Sequence, residues 1–405
     1  MRWQVPPTMC TARVTSVRVI HTLFWKVHTF MQRKTFIRLS TSWAAAALLG
    51  TAAFTAHAAE PILIGVPIPM TGPNTQYGDE VKAGLLTAVE TFNAAGGMNG
   101  REYKPVFIDD ACEPKQAVPA ANRVLNSGAK FAVTHVCSGV TVPASKIYEE
   151  EGIVAITPGA TAPQVTDGLK GHYFFRTIGR DDQQGPFAAK FIAEKLKPKA
   201  VAVLHDKQTY GAGVAQHVKN TLDSLKAPVV MYDGINAGDS DYSAVITKLK
   251  TAKVDVVFFG GYHPEMGLLL RQAKEQGLKT RFVGAEGAFN QGLIEIAGPA
   301  VEGMMFTFPA DFSQRPENKG VVEAFKKANR SANGAYQMPA YAALQVLDKS
   351  LKAVGPDAKK VADYMHANTF DTVIGKVAFD AKGDLKNFEF VVFELAKDGS
   401  RKQVK

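Results

Sequence analysis

The stretch FAVTHVCSGVTVPAS, residues 131–145, decides the fold class of this chain. An apolar run of strand character ends at Cys137, Ser138 and Gly139, and a segment of helical character follows. Small polar residues at the end of a strand in an α/β chain usually face a ligand crevice. The stretch therefore has two interpretations: it carries a nucleophile, or it forms a seat that holds a ligand without changing it.

The strand-then-helix alternation continues on both sides of this stretch. Before residue 176, apolar runs predict four buried strands, and amphipathic segments between them predict three helices. The strand runs are ILIGVPIPM, YKPVFIDDA, KFAVTHVCS and IVAITPGA. Such alternation predicts a mostly parallel sheet with helices on both faces.

A second βα series begins near RTIGRDDQQGP, residues 176–186. Its predicted strands are KAVAVLHDK, APVVMYDGI, VDVVFFGGY and TRFVGAEGA. A helical stretch at about 316–367 follows, and TVIGKVAFDAKGDLKNFEFVVFELAKDG is predicted to form a terminal hairpin. From Ala59 the chain has about 347 residues, more than one core usually organises, so we expect two similar lobes. The segment that follows the second βα series, from about residue 316 onward, must return to one of these lobes. The lobes are therefore discontinuous in sequence.

Residues 1–58 differ in composition from the rest, with seven Lys or Arg and no acidic residue. From Met31, MQRKTFIRLS is a basic n-region, WAAAALLGTAAF an apolar h-region, and AHA, ending at Ala58, a small-residue cleavage site. Together they predict a secretory signal peptide whose apolar part is too short to span a bilayer. Residues 1–30 are then an upstream extension whose translation stays open. An organelle transit peptide is the alternative.

The charge balance changes once the leader is set aside. The whole chain has 47 basic and 38 acidic residues, and 40 basic and 38 acidic residues remain from Ala59. This near-neutral balance gives no basis for nucleic-acid binding. Cys10 leaves with the leader, and the remaining Cys112 and Cys137 most simply form one disulfide in an exported protein. A cysteine held in a bridge is not available as a nucleophile.

The informative polar and aromatic residues sit where predicted strands end. In open α/β sheets the ligand crevice lies at the carboxyl ends of the strands, so these residues are expected to meet there. A zwitterion with an apolar tail needs donors for its carboxylate, an acceptor for its ammonium group and an aromatic wall. The residues at strand ends are Tyr77, Ser138, the segment 157–163, Tyr210, Tyr262 and Glu286. Each has an ordinary structural alternative, and it is their joint placement that favours a binding site.

Catalytic and metal-binding interpretations have less support. Ser138 lacks the G-x-S-x-G turn of a hydrolase, because the sequence there is HVCSGV. His135, His205 and His263 lie beside strands, and none is marked as its base. His263 and Glu265 would give a metal only two ligands. The glycine-rich segments match neither a dinucleotide fingerprint nor a P-loop, so we expect no cofactor, no metal and no enzyme.

Six longer strings narrow the interpretation: DDACEPKQAV, YEEEGIVAITPGATAP, HDKQTYG, GGYHPEMGLLLRQAKEQGLKT, YAALQ and KGDLKNFEF. They closely resemble the bacterial leucine/isoleucine/valine-binding proteins. These are periplasmic substrate-binding components of ABC transporters for branched-chain amino acids. The similarity runs from about residue 61 to 395, and DDACEPKQAV and GGYHPEMG are specific strings rather than general α/β patterns.

The resemblance implies the type I periplasmic-binding-protein fold. Two α/β lobes, each a mostly parallel sheet flanked by helices, are joined by three crossings of the chain and close on the ligand by a hinge motion. Lobe one would comprise residues 60–180 and 310–389, and lobe two residues 181–309 and 390–405. The family's disulfide maps onto Cys112 and Cys137.

The resemblance also implies a role for each binding residue. Ser138 would hold the ligand carboxylate through its hydroxyl and N–H, and the N–H and hydroxyl of Thr161 would meet the carboxylate and the ammonium group. The carbonyl of Gly159, where relatives in the family carry Ala, would accept from the ammonium group. Glu286 would pair with that group when the lobes close. The wall around the aliphatic tail would consist of Tyr77, Tyr210, Tyr262, Val136 and Cys137.

We therefore expect a periplasmic monomer that captures Leu, Ile or Val and delivers it to an inner-membrane ABC permease with cytoplasmic ATPase subunits. The first alternative is the same fold with another amino acid, an amide or a small carboxylate as ligand, because Gln337 and Met338 depart from the family's aromatic-rich version of the cleft floor. A signalling receptor and a periplasmic hydrolase that uses Ser138 are the others. The sequence does not rank Leu, Ile and Val.

Overall fold

The computed structural model describes residues 60–404, which form two separate large sheets and one small hairpin. The predicted leader, residues 1–58, lies outside the described residues. The first sheet has the order β2-β1-β3-β4-β5, and every neighbouring pair in it is parallel. Its strands are Ile62–Ile68 (β1), Tyr103–Asp109 (β2), Phe131–Val133 (β3), Val154–Thr157 (β4) and Phe174–Arg176 (β5).

The second sheet is mixed, with the order β14-β13-β10-β9-β8-β6-β7. The strands from β6 to β10 pair in parallel, whereas β13 runs antiparallel to both β10 and β14. Its strands are Val201–His205 (β6), Val229–Gly234 (β7), Val256–Gly260 (β8), Arg281–Gly284 (β9), Met305–Pro309 (β10), Phe390–Leu395 (β13) and Arg401–Val404 (β14). The small hairpin pairs Thr369–Thr372 (β11) with Gly375–Ala378 (β12).

Eleven α-helices of the described residues cover these sheets. They are Thr75–Ala94 (α1), Ala117–Asn126 (α2), Ser138–Glu150 (α3), Asp181–Phe191 (α4), Thr209–Ser224 (α5), Ser243–Thr251 (α6), His263–Glu275 (α7), Gln291–Ala297 (α8), Lys319–Lys327 (α9), Gln337–Val354 (α10) and Ala358–Ala367 (α11). Between residues 60 and 404, no helix has the length and apolar character needed to cross a membrane.

The sequence pattern accounts for both kinds of element. The runs of β1 and β8 are rich in Ile, Val and Phe and are almost continuously buried, which is typical of parallel strands covered on both faces. In α1 the buried residues Tyr77, Val81, Leu85 and Ala88 recur at helical spacing and form the apolar stripe that packs inward. Strand and helix periodicity therefore place the core where the sequence predicts it.

The chain passes between the two sheets three times. It leaves the first sheet after β5, where α4 packs against α5 of the second sheet, and returns after β10, where α10 packs against α1. It then rejoins the second sheet at β13. The prediction of one terminal hairpin over residues 372–399 is wrong. β12 pairs with β11, and β13 pairs with β10 and β14, because the long antiparallel edge of β10 is available to β13.

Candidate ligand-binding site

The carboxyl ends of strands from both sheets meet, and side chains form hydrogen bonds across the boundary between the sheets. The hydroxyl of Tyr77, after β1, donates to the carbonyl of Gly287, after β9, at 2.5 Å. The hydroxyl of Thr161, after β4, lies 3.4 Å from Oε1 of Glu286. Residues distant in sequence therefore form one buried group, which we call the intersheet cluster: Tyr77, Ser138, Thr161, Asp181, Tyr210, Tyr262, Glu286 and Tyr336.

The first sheet contributes hydroxyl and N–H groups. Ser138 is the first residue of α3 and is 1% exposed, and its hydroxyl accepts a hydrogen bond from the N–H of Ala162 at 3.2 Å. The hydroxyl of Thr157 accepts from the N–H of Gly159 at 3.3 Å, which shapes the loop that carries the fully buried Thr161. Donors at the N-terminus of a helix favour an anion. The arrangement is therefore able to hold a carboxylate.

The second sheet contributes a buried acid. Glu286 is 1% exposed and begins a short 3-10 turn after β9. The hydroxyl of Tyr210 donates to its Oε2 at 2.9 Å. Burial raises the pKa of Glu286 to about 7, although hydrogen bonds from Gln184 and Tyr210 act in the opposite direction. These partners carry no positive charge, so a cationic group placed beside the carboxyl group would compensate the cost of its burial.

Tyrosine rings surround the two polar faces. Tyr77, Tyr210 and Tyr262 are all at most 4% exposed, with ring centroids 5.6 Å apart for Tyr77 and Tyr262 and 5.1 Å apart for Tyr210 and Tyr262. Burial raises the pKa of each of these hydroxyls, so all three stay neutral at physiological pH. Rings of this kind provide an apolar wall with a few polar positions, which suits an aliphatic side chain.

The structure adds three residues that the sequence did not indicate. Tyr336 packs edge-on against Tyr77 at 5.8 Å between centroids, just before α10. Asp181 and Gln184, in the first turn of α4, are fully buried, and the N–H of Asp181 donates to the carbonyl of Thr161 at 3.0 Å. The signal that could have located α4 is the pause between the two βα series at residues 176–186, because a chain crossing between two sheets lies beside whatever they enclose.

Gly159 and Val136 lie against the aromatic wall. A Cβ atom added at Gly159 would stand 2.6 Å from Cγ1 of Val136 and 3.2 Å from a ring carbon of Tyr336. The absence of a side chain at this position therefore lets Val136 and Tyr336 approach the loop after β4.

The cysteines of the opening stretch are structural. Cys112 and Cys137 form a disulfide with Cα atoms 5.5 Å apart, as the resemblance implies. His135 has both ring nitrogens in contact with other groups, Nδ1 with Asp110 at 2.6 Å and Nε2 with the hydroxyl of Tyr148 at 3.1 Å. His135, the histidine nearest to Ser138 in sequence, therefore does not act as a base for Ser138.

The two residues considered as metal ligands are engaged separately. Nδ1 of His263 lies 2.7 Å from the hydroxyl of Tyr77, whereas Oε1 of Glu265 accepts from the N–H of Gly238 at 3.0 Å. Burial lowers the pKa of His263 to about 4, so this ring is neutral near pH 7. Within the described part of the chain, no group of three or more His, Cys, Asp or Glu side chains is placed to hold a metal ion.

Two α/β sheets whose strand ends enclose anion donors, a buried acid and an aromatic wall have the architecture of a solute-binding protein. The chain belongs to the periplasmic binding protein family, whose model matches residues 61–400. This membership confirms the family recognised in the sequence and its type I α/β fold, and it places the protein in the periplasm.

Named relatives and a solved structure support the same family membership. The chain is 52% identical to the leucine-, isoleucine-, valine-, threonine- and alanine-binding protein of Pseudomonas aeruginosa, over 91% of this chain and 98% of that protein. It is 47% identical to the Leu/Ile/Val-binding protein of Escherichia coli K12, over 86% and 94%. The crystal structure of a leucine-binding protein from Thermotoga maritima superposes with a TM-score of 0.79 at 29% identity, over 85% of this chain and 98% of that one. These relatives are named as binding proteins and not as enzymes.

Proposed function

We propose that this protein captures branched-chain L-amino acids in the periplasm and delivers them to an ABC transporter. The observation that carries the proposal is the pairing across the two sheets. The hydroxyl and N–H donors of Ser138 and Thr161 lie on one side, and the buried, cation-free carboxyl group of Glu286 lies on the other. The names of the relatives support the same ligand class.

Each residue of the cluster then has a role toward the ligand. Ser138 and Thr161 bind the carboxylate, and the carbonyl of Gly159, the hydroxyl of Thr161 and the carboxylate of Glu286 bind the ammonium group. The aliphatic tail lies among apolar surfaces. That wall consists of Tyr77, Tyr210, Tyr262, Val136 and Cys137, and Tyr336 is added to it on the strength of its contact with Tyr77.

Affinity comes from a closed arrangement of two lobes, residues 60–180 with 310–389 and residues 181–309 with 390–405. Ionic groups attract more strongly when water is excluded, so the ammonium group and Glu286 interact best when the lobes are shut. The contacts from Tyr77 to Gly287 and from Thr161 to Glu286 join residues of the two lobes and form only in that state. The ligand therefore shifts the equilibrium toward closure.

Closure also signals to the transporter that a ligand is bound. An inner-membrane permease with cytoplasmic ATPase subunits recognises the relative position of the two lobes. Only the closed form has that position. The signal peptide directs export and is cleaved after Ala58, and the binding protein acts as a monomer with no metal or cofactor.

Isothermal titration calorimetry on the chain from Ala59, unfolded and refolded to remove any bound ligand, tests the proposal. The three Trp residues all lie in residues 1–58, so Trp fluorescence is not an option for this chain. We expect L-leucine, L-isoleucine and L-valine to bind one-to-one at micromolar affinity or tighter, and D-leucine not to bind. Folded protein that gives heat only with an aromatic amino acid, an amide or a small carboxylate would contradict the ligand class.

A further inference from the structure

A buried set of polar side chains surrounds His135, which stands three residues before Ser138. Asp110, His135 and Tyr148 are each 0% exposed, and we call them the buried triad. Nδ1 of His135 lies 2.6 Å from Oδ2 of Asp110, and Nε2 lies 3.1 Å from the hydroxyl of Tyr148. Replacing buried ionic groups by apolar residues of similar volume is often neutral or stabilising, so the stability of the fold alone does not require this triad.

The backbone of His135 is also unusual. Its φ angle is 29°, in the left-handed region that residues other than glycine rarely adopt. Such a conformation costs free energy and persists only where its surroundings hold it, and it is concentrated at functional sites. The N–H of His135 donates to the carbonyl of Pro67 at 2.7 Å, and its carbonyl accepts from the hydroxyl of Thr157 at 2.7 Å. The strained residue is therefore fixed to both β1 and β4.

Thr157 extends this connection to the second loop of the proposed site. The same hydroxyl that donates to His135 accepts from the N–H groups of Gly159 at 3.3 Å and Ala160 at 3.0 Å. Gly159 and Thr161 belong to this loop, and the proposed function assigns both of them to the ligand. His135 therefore connects the loop after β3 with the loop after β4.

Asp110 attaches the triad to the disulfide-bonded segment. Its N–H donates to the carbonyl of Ile68 at 3.1 Å, and its Oδ1 accepts from the N–H of Cys112 at 2.9 Å. Ala111 and Cys112 have φ angles of 49° and 58°, so the left-handed conformation recurs in this segment. All of these groups belong to the first sheet and the segments that flank it. The arrangement therefore does not require closure of the proposed lobes.

We propose that His135 is a positioning residue of the ligand site, which holds the loops after β3 and β4 in the register that lets their groups meet one ligand. It acts through Ser138 in the first loop and through Thr157 in the second, and not by contact with the ligand. The inference rests on the proposed function, because that function assigns the two loops to an amino acid. Removing the side chain of His135 should therefore misalign both loops while the first sheet stays folded.

Calorimetry of L-leucine binding and amide hydrogen exchange of the ligand-free chain test the proposal together. His135→Ala removes both side-chain contacts, and we expect a Kd for L-leucine roughly tenfold weaker, the effect of losing about one hydrogen bond to a charged group. Exchange of the N–H groups of Gly159 and Ala160 should become roughly tenfold faster, because these groups open locally. Exchange of the N–H of Ile64, inside β1, should change much less. Equal acceleration at all three positions would indicate a purely structural role and would overturn the proposal.

Further variants check the same connection. Thr157→Val removes the joining hydroxyl and keeps the shape of the side chain, so we expect the same two changes, and this variant decides the outcome if His135→Ala does not fold. His135→Asn keeps an amide near the position of Nδ1 and tolerates the left-handed conformation, so its losses should be smaller than those of His135→Ala. His172→Ala is the matched control, because it removes an exposed histidine shortly before β5. We expect this control to leave the Kd and the exchange rates as in the wild type.

The exchange measurement needs no ligand and therefore separates this proposal from the proposed function. If the N–H groups of Gly159 and Ala160 respond as expected but leucine gives no heat with the wild type, the proposed function is overturned while the connection between the loops stands. If leucine binds and His135→Ala leaves either the Kd or the exchange of these groups as in the wild type, the positioning role is overturned while the proposed function stands.

Discussion

Replacing Glu286 with Gln removes the buried negative charge that we assign to the ligand's ammonium group. Gln keeps the length of the side chain and an acceptor for the hydroxyl of Tyr210, which now donates at 2.9 Å. Removing one partner of a buried, hydrogen-bonded charge pair costs about 2–5 kcal/mol, and the shape-conserving change belongs at the lower end. A group with a pKa of about 7 is partly protonated at pH 7, so a small part of that cost is already present in the wild type.

The expected net loss is about 2 kcal/mol, or roughly 30-fold in the Kd for L-leucine. Calorimetry at pH 7 on the refolded chain measures it, and Glu295→Gln, an exposed acid on α8, controls for the lost charge. Ligand-free Glu286→Gln should be at least as stable as the wild type. A buried acid with a raised pKa destabilises the fold increasingly as pH rises from the usual pKa of Glu to about 7, and the variant lacks that loss. A Kd of Glu286→Gln for L-leucine within threefold of the wild-type value would refute the assignment of Glu286 to the ligand's ammonium group.

Three further predictions use other contacts of the cluster. Tyr77→Phe removes the hydroxyl that donates at 2.5 Å to the carbonyl after β9, so we expect a loss of leucine affinity of about 1–2 kcal/mol by calorimetry, and equal affinity would contradict its role across the two sheets. Gly159→Ala places a Cβ atom 2.6 Å from Val136, so the loss of affinity should grow with the size of the ligand's side chain, whereas equal losses for valine and leucine would argue against a contact with the tail. Replacing both Cys112 and Cys137 with Ser opens a loop of 25 residues, for which chain entropy predicts a fall of about 3.5 kcal/mol in the free energy of unfolding in urea. A fall below about 1 kcal/mol would contradict that estimate of the bridge.

Local pattern was sufficient to predict the two sheets and much of the cluster. Strand runs such as ILIGVPIPM are apolar throughout because both faces of a parallel sheet are covered, and this property is visible in sequence. Ser138, Thr161 and Glu286 immediately follow such runs or lie within a few residues of them, so the rule that ligands bind at strand ends was enough to single them out. Their individual roles toward a ligand came from the family resemblance.

The residues that were missed depend on tertiary structure. Asp181 stands in RDDQQGP, which has the composition of an exposed helix start, and only the passage of the chain between the two sheets buries it. Tyr336 contacts Tyr77 because α10, which follows the second sheet's β10 in the chain, packs against α1. The periodicity of neither helix predicts this pairing. The partner of β13 was mistaken for the same reason, because strand pairing depends on which edge is free and not on the strand's own residues.

The most direct test is a crystal structure of the refolded chain from Ala59 grown with L-leucine. We predict one ligand molecule between the two sheets, with its carboxylate within hydrogen-bond distance of Ser138 and Thr161 and its ammonium group within hydrogen-bond distance of Glu286. Its aliphatic tail should lie against the tyrosine rings. Leucine bound elsewhere, or bound between the sheets with its ammonium group directed away from Glu286, would contradict the account.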